Sequence, residues 1–207
     1  MELRNISIVL AFSLSSFLVL FLMTDDIKPP KNIYNLMPWQ SYVNHNNKTV
    51  ALGLIIGESK LSDAMKLYGK EAESALFRSN NIYDLEIYFD NTKIGGLSGK
   101  LVIGLNINNK LKFLLNNIKE IKKLPNNKEK IILNKIAQSK LFDLKIKYIS
   151  FIPNTQLDEK NILGRFGQTD SIKINNDIKY FKYPNKGLKI IFDKRNKEIL
   201  EYANYKN

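Results

Sequence analysis

Hydrophobic and polar positions follow several different patterns along this chain, and the switches between them mark out its parts. Residues 6–23 form an unbroken uncharged run, with Arg4 before it and Asp25 and Asp26 after it. A helix rises about 1.5 Å per residue and a bilayer core is about 30 Å thick, so ~20 apolar residues cross it. The run predicts a transmembrane signal-anchor, with Ile6, Leu10, Phe17, Leu20 and Leu22 among its anchoring residues. Arg4 and the α-amino group favour a cytoplasmic N-terminus, with the rest of the chain across the membrane. A cleaved signal peptide is the competing reading. Its apolar core is usually about 7–15 residues and ends at a small-x-small site. Leu20-Phe21-Leu22-Met23 offers no such site.

Residues 25–48 read as a linker. Lys28-Pro29-Pro30-Lys31 is extended, because proline disfavours the helical region for the residue before it. Asn44-His45-Asn46-Asn47-Lys48 reads as a turn. Trp39, the only tryptophan, suits either the headgroup level of a membrane or packing on the globular part.

After the linker a strand at 50–56 turns at Gly57. Leu61, Ala64, Met65 and Tyr68 then recur at i, i+3, i+4 and i+7, which predicts a short helix. Ser59 is its candidate N-cap and Gly69 its stop. Period-two alternation follows. Leu85, Ile87 and Phe89 interleave with Glu86, Tyr88 and Asp90, and Leu101, Ile103, Leu105 and Ile107 do the same further on. Each run predicts a strand with one buried and one wet face. Residues 95–99, rich in glycine, serve as a flexible connection between them.

The order then recurs. A strand at 148–152 leads to Asp158, a candidate cap, with Leu157 stapling to Ile162. The second helix ends at Phe166-Gly167, as the first ends at Tyr68-Gly69. Strands follow around 178–183, 188–193 and 198–202, with a turn at Pro184-Asn185-Lys186-Gly187. Between the copies, Leu111, Leu114, Leu115, Ile118 and Ile121 suit one helical face. Pro125-Asn126-Asn127 ends it, and a short strand at 130–133 and a short helix at 134–142 complete the connector.

The expected class is therefore α+β: an N-terminal transmembrane helix, then two similar units, each a short helix plus an antiparallel meander. The expected divisions are a signal-anchor at 1–24, a linker at 25–48, a first unit at 49–109, a basic connector at 110–147 and a second unit at 148–207.

Charge changes this picture in one region. The chain carries a formal net charge of +12. Residues 110–147 hold eleven lysines against Glu120, Glu129 and Asp143. Lys112, Lys119, Lys122, Lys123 and Lys130 are the candidate contacts to an anionic lipid or envelope polymer. Lysine, asparagine and isoleucine are frequent throughout, so an ordinary solvated surface is the plainer reading.

Candidate chemistry is sparse. One histidine, His45, and no cysteine rule out thiol chemistry and disulfides and leave zinc without its usual ligands. Gly95-Gly96-Leu97-Ser98-Gly99-Lys100 fails the phosphate-loop pattern at Ile94 and Leu101, and it leads into a strand. The carboxylate pairs Glu71/Glu73 and Asp158/Glu159 read as surface and helix-end residues. Tyr180, Phe181 and Tyr183 beside Lys179 and Lys182 offer a stacking platform in principle, but alternation sends Phe181 and Tyr183 to one face and Tyr180 to the other. Nucleic acid is thus disfavoured, and no catalytic, cofactor or metal site is expected.

Two segments carry a family resemblance. In the first copy it rests on Gly57-Glu58-Ser59 and Leu67-Tyr68-Gly69-Lys70. In the second it rests on Leu157-Asp158, Arg165-Phe166-Gly167-Gln168, Lys182-Tyr183-Pro184-Asn185-Lys186-Gly187-Leu188 and Ile190-Ile191-Phe192-Asp193. These resemble the repeats of the SmpA/OmlA outer-membrane assembly lipoproteins and of the β-lactamase inhibitor protein. The resemblance implies a fold used for protein binding in the cell envelope. The chain departs from the lipoproteins in lacking the lipidated cysteine and in carrying two such units. The expectation is a non-catalytic protein-binding or assembly module in the periplasm, held at the inner membrane, with an envelope protein and the bilayer as partners. The alternative is a structural accessory on an anionic surface.

Overall fold

Asparagine turns many of this fold's corners. Among the described residues, 37–193 and 195–205 of a computed structural model, eight non-glycine residues have positive φ. Seven of them are asparagine: Asn47, Asn80, Asn81, Asn91, Asn126, Asn127 and Asn176. The left-handed region is costly for most side chains, and asparagine tolerates it best after glycine.

A 3-10 turn at Pro38–Gln40 leads into a small antiparallel sheet of β1 (Tyr42–Val43), β2 (Thr49–Ala51) and β3 (Leu54–Ile55). Helix α1 (Leu61–Tyr68) follows, then the meander β4 (Glu73–Ser79), β5 (Ile82–Ile94) and β6 (Leu97–Leu105). Helix α2 (Leu111–Leu115), the hairpin β7 (Ile118–Leu124) and β8 (Lys128–Leu133), and helix α3 (Lys135–Gln138) precede β9 (Ile146–Pro153). Helix α4 (Glu159–Phe166) opens a second meander: β10 (Ser171–Asn175), β11 (Ile178–Tyr183), β12 (Leu188–Asp193) and β13 (Ile199–Ala203).

Turn chemistry sets the register. Asn80-Asn81 join β4 to β5 and Gly95-Gly96 join β5 to β6, each as a two-residue loop with φ positive at both positions. Such primed turns match the twist of paired strands. Leu52-Gly53 makes the same turn between β2 and β3. Leu52 is fully buried there, and the Tyr68 hydroxyl donates to its carbonyl.

All ten longer strands form one antiparallel sheet in the order β10-β11-β12-β13-β9-β6-β5-β4-β8-β7. Strand β9 is the seam. The first meander pairs with it through β6 and the second through β13. The meanders thus share a single sheet. One face of that sheet carries Leu76, Leu85, Ile103, Ile149, Leu200 and Ile190, all fully buried. The small sheet, α1, α4 and the segments around α2 and α3 cover this face and join the same apolar cluster. Both longer helices stop alike. Gly69 (φ 100°) and Gly167 (φ 86°) end them, and the preceding Tyr68 and Phe166 pack on Phe89 and Tyr183 of the meanders. Trp39 sits edge-on to Phe166, with ring centroids 6.3 Å apart, so it packs on the globular part.

This architecture overturns the expected α+β class. Strands take 48% of the described residues and helices 18%, so the protein is mainly β, built on one large antiparallel sheet. Among the described residues no helix is long and apolar enough to cross a membrane. The run assigned to the signal-anchor, with Ile6, Leu10, Phe17, Leu20 and Leu22, lies outside the described residues.

Local expectations also change. The strand expected at 50–56 is two short strands around the Leu52-Gly53 turn. Of residues 95–99 only Gly95 and Gly96 form the turn and 97–99 already belong to β6, because β5 continues to Ile94 past a bulge at Asn91. The helix expected across 111–121 stops at Leu115, and Ile118 and Ile121 lie in β7, where pairing to β8 overrides helical periodicity. Ser59 is not the cap of α1. Lys60 holds that position, while the Ser59 hydroxyl accepts from the Ile55 N–H (2.9 Å). Asp158 does cap α4, accepting from the Asn161 N–H at 2.6 Å.

Candidate functional site

The opposite face of the sheet has no covering layer among the described residues. Register decides what it presents, because residues directly opposite in an antiparallel pair share a face. Glu86 of β5 faces Gly104 of β6, and Gly104 faces Tyr148 of β9. Tyr88 faces Val102, Val102 faces Ser150, and Ser150 faces Glu201 of β13. Ile191 and Ile199 meet on β12 and β13. All of these except Gly104 line a depression of about 680 Å³, together with Asp84, Lys100, Lys147, Ile152 and Ala203. Val102 is only 7% exposed, so its floor is screened by the side chains around it.

Gly104 creates the centre of this face. A Cβ there would collide with the ring of Tyr148, so glycine lets that ring lie across β6. The placed hydroxyl sits 2.7 Å from Asp84 Oδ2 and 2.9 Å from Glu86 Oε1. The Tyr88 hydroxyl donates to Glu86 Oε2. Lys147 Nζ binds Asp84 at 3.2 Å, Lys100 binds Asp90 at 3.0 Å, and Lys189 binds Glu201 at 2.6 Å. Burial, helped by the Asp84 and Glu86 carboxylates, raises the Tyr148 hydroxyl well above its ordinary pKa. Burial and the Glu86 carboxylate raise Tyr88 too. A second, more polar depression of about 720 Å³ lies on the other side of Tyr88, lined by Tyr68, Glu71, Glu73, Asp90 and Asn91.

The basic candidates disperse. Lys122 of β7 and Lys130 of β8 stand directly opposite each other at the sheet edge. Lys123 pairs with Glu129, which is itself bound by Arg78 and shares the core-side face. Lys119 sits in the bulge between Ile118 and Glu120, and Lys112 lies on α2. Of the five, the register brings only Lys122 and Lys130 together.

Other candidates fall in place as structural parts. His45 is exposed in the turn between β1 and β2. Glu159 binds Lys179 at 2.7 Å. Phe181 and Tyr183 are core, while Tyr180 points to the open face. No cluster of metal-ligating side chains occurs among the described residues. Sequence reasoning passed over Asp84, Glu86, Tyr88, Gly104 and Tyr148. The signal present was the wet-face alternation at Glu86 and Tyr88, but their meeting with Tyr148 needs the register across three strands.

Comparison with known proteins found no matching family pattern, no matching curated protein and no matching solved structure.

Proposed function

We propose that this chain is a non-catalytic protein-binding module whose partner seats on the open face of the ten-stranded sheet. The observation that carries the reading is the depression at the middle of that face. Its floor is apolar (Val102, Ile152, Ile191, Ile199), and no described element covers it. Apolar floors ringed by polar groups are a recurring form of protein interface. The carboxylates there argue against hydrolysis. A glycosidase-type pair flanks a gap of about 5–9.5 Å that admits substrate, and here the Tyr148 hydroxyl fills the space between Asp84 and Glu86.

The resemblance to envelope assembly lipoproteins agrees with a binding use and supplies no partner. Placement outside the cytoplasm is part of the proposal. Activity of a C-terminal reporter that works only in the cytoplasm refutes that part.

The docking test places a photo-reactive amino acid at Ile152, on the face, and at Ile136, which is exposed on α3 away from the face. In cells, the face position is expected to cross-link one partner, and Ile191→Asp is expected to abolish that product. Equal labelling at both positions, or indifference to Ile191→Asp, refutes docking on this face.

A second reading has one observation behind it. Lys122 and Lys130 oppose each other directly, and Glu120 answers Lys122 at 3.6 Å, which leaves Lys130 as the cation with no ion pair there among the described residues. Binding to vesicles of anionic lipid, lost in high salt and in Lys122→Glu, supports that use.

A further inference from the structure

The charges on the open face are unevenly matched. Lys147 answers Asp84, Lys100 answers Asp90, and Lys189 answers Glu201. Glu86 has no lysine or arginine within ion-pair distance among the described residues. Among the described residues its oxygens meet only the hydroxyls of Tyr88 and Tyr148. The Tyr148 hydroxyl carries one proton and faces two carboxylate oxygens, so it satisfies one of them at a time. Among the described residues, the middle of the exposed face therefore holds a carboxylate with no ion-pair partner, which shares the Tyr148 proton with Asp84.

The surroundings favour a cation on a side chain. Lys100 lies 5.5 Å from the Tyr88 ring centroid and Lys147 lies 5.7 Å from that of Tyr148, so both rings already hold cations by their faces. Val102 lies one row from the carboxylate on the same open face, and Ile152 and Ile199 continue the apolar floor a further row along. A free ammonium ion would leave that floor wet. A polypeptide carrying a basic side chain between apolar ones would cover it.

We propose that the partner on this face presents an arginine or lysine to Glu86, flanked by apolar side chains that fill the Val102–Ile199 side of the depression. The proposal rests on the docking reading and adds the chemistry of the guest. Arginine fits better than lysine. Its planar fork can take a carboxylate oxygen and stack beside tyrosine rings, whereas an ammonium is a compact, strongly hydrated point charge.

The test uses the full chain and two synthetic peptides, acetyl-Val-Ile-Arg-Val-Ile-amide and the same peptide with glutamate for arginine. Binding is followed by NMR on the backbone amides of Val102 and Gly104. The arginine peptide is expected to shift these amides, and the glutamate peptide is not. Glu86→Gln, which keeps the shape and removes the charge, is expected to weaken the arginine peptide about tenfold or more. Glu86→Lys is expected to reverse the preference. Urea unfolding of each variant confirms that it is folded. Unchanged affinity in Glu86→Gln overturns the proposal, as does tighter binding of the glutamate peptide by the unaltered chain. If the arginine peptide fails while the Ile152 cross-link is still lost in Ile191→Asp, the cation claim falls and docking stands. If the cross-link is indifferent to Ile191→Asp, docking itself falls.

Discussion

Gly104→Ala probes the open face at its centre. The methyl would enter the space of the Tyr148 ring, so the ring has to swing off β6. The hydroxyl then leaves Asp84 and Glu86, now 2.7 and 2.9 Å away. A hydrogen bond to a charged acceptor contributes about 1.5–3 kcal/mol, and partial solvent exposure puts this one at the low end. Alanine offsets about 0.5–1 kcal/mol, because glycine is the poorer strand residue. The expected net loss is about 1 kcal/mol, or a Tm lower by about 2–4 °C. Urea unfolding of Gly104→Ala, Tyr148→Ala and the double variant forms a cycle. With the ring removed, the alanine at 104 is expected to be neutral or stabilising. The reasoning fails if Gly104→Ala leaves stability unchanged or raised in the intact protein, or if its cost persists in the Tyr148→Ala background.

Three further outcomes follow from the packing. Burial raises the Tyr148 hydroxyl above its ordinary value of 10, so the folded state holds that proton more tightly than the unfolded chain. Its contribution is full below about pH 10 and is lost as pH rises further. Tyr148→Phe should therefore flatten the alkaline fall in the urea midpoint, and an unaltered slope between pH 8 and about 11 sinks this account. Glu198 is fully buried and accepts from the Leu157 N–H at 3.0 Å. Glu198→Ala should cost about 1–3 kcal/mol by orphaning that donor, and Glu198→Gln should cost less, both read by urea unfolding. Gly187 has φ 56°, and a Cβ there would strike the Thr49 hydroxyl, which donates to the Ala203 carbonyl at 2.8 Å. Gly187→Ala should cost about 1–3 kcal/mol, and a thermal melt identical to the parent's refutes the clash.

Several parts of the fold were legible from local pattern. Leu61, Ala64, Met65 and Tyr68 specify α1, and Gly69 and Gly167 specify where α1 and α4 end, because helical period and left-handed caps are local properties. Alternation gave the buried faces of β5, β6 and β11 for the same reason. The asparagines were legible only in hindsight. They read as a habit of composition, yet Asn80-Asn81 fix the β4–β5 register by turn geometry. Strand β4 was missed because its exposures do not alternate, Ala75 and Leu76 being buried side by side. Strands β7 and β10 are edge strands whose residues are largely or wholly exposed, so little apolar period betrays them.

By itself the sequence determined the two longer helices, their stops and the alternating strands, since each depends on neighbours within a turn or two. Only the tertiary structure decided that both meanders close on β9 and share one sheet. That outcome depends on which strand edges meet across more than forty residues, and no local period encodes it. The same holds for the open face. Glu86, Gly104 and Tyr148 lie far apart in the chain and become neighbours only because two registers align them in one row.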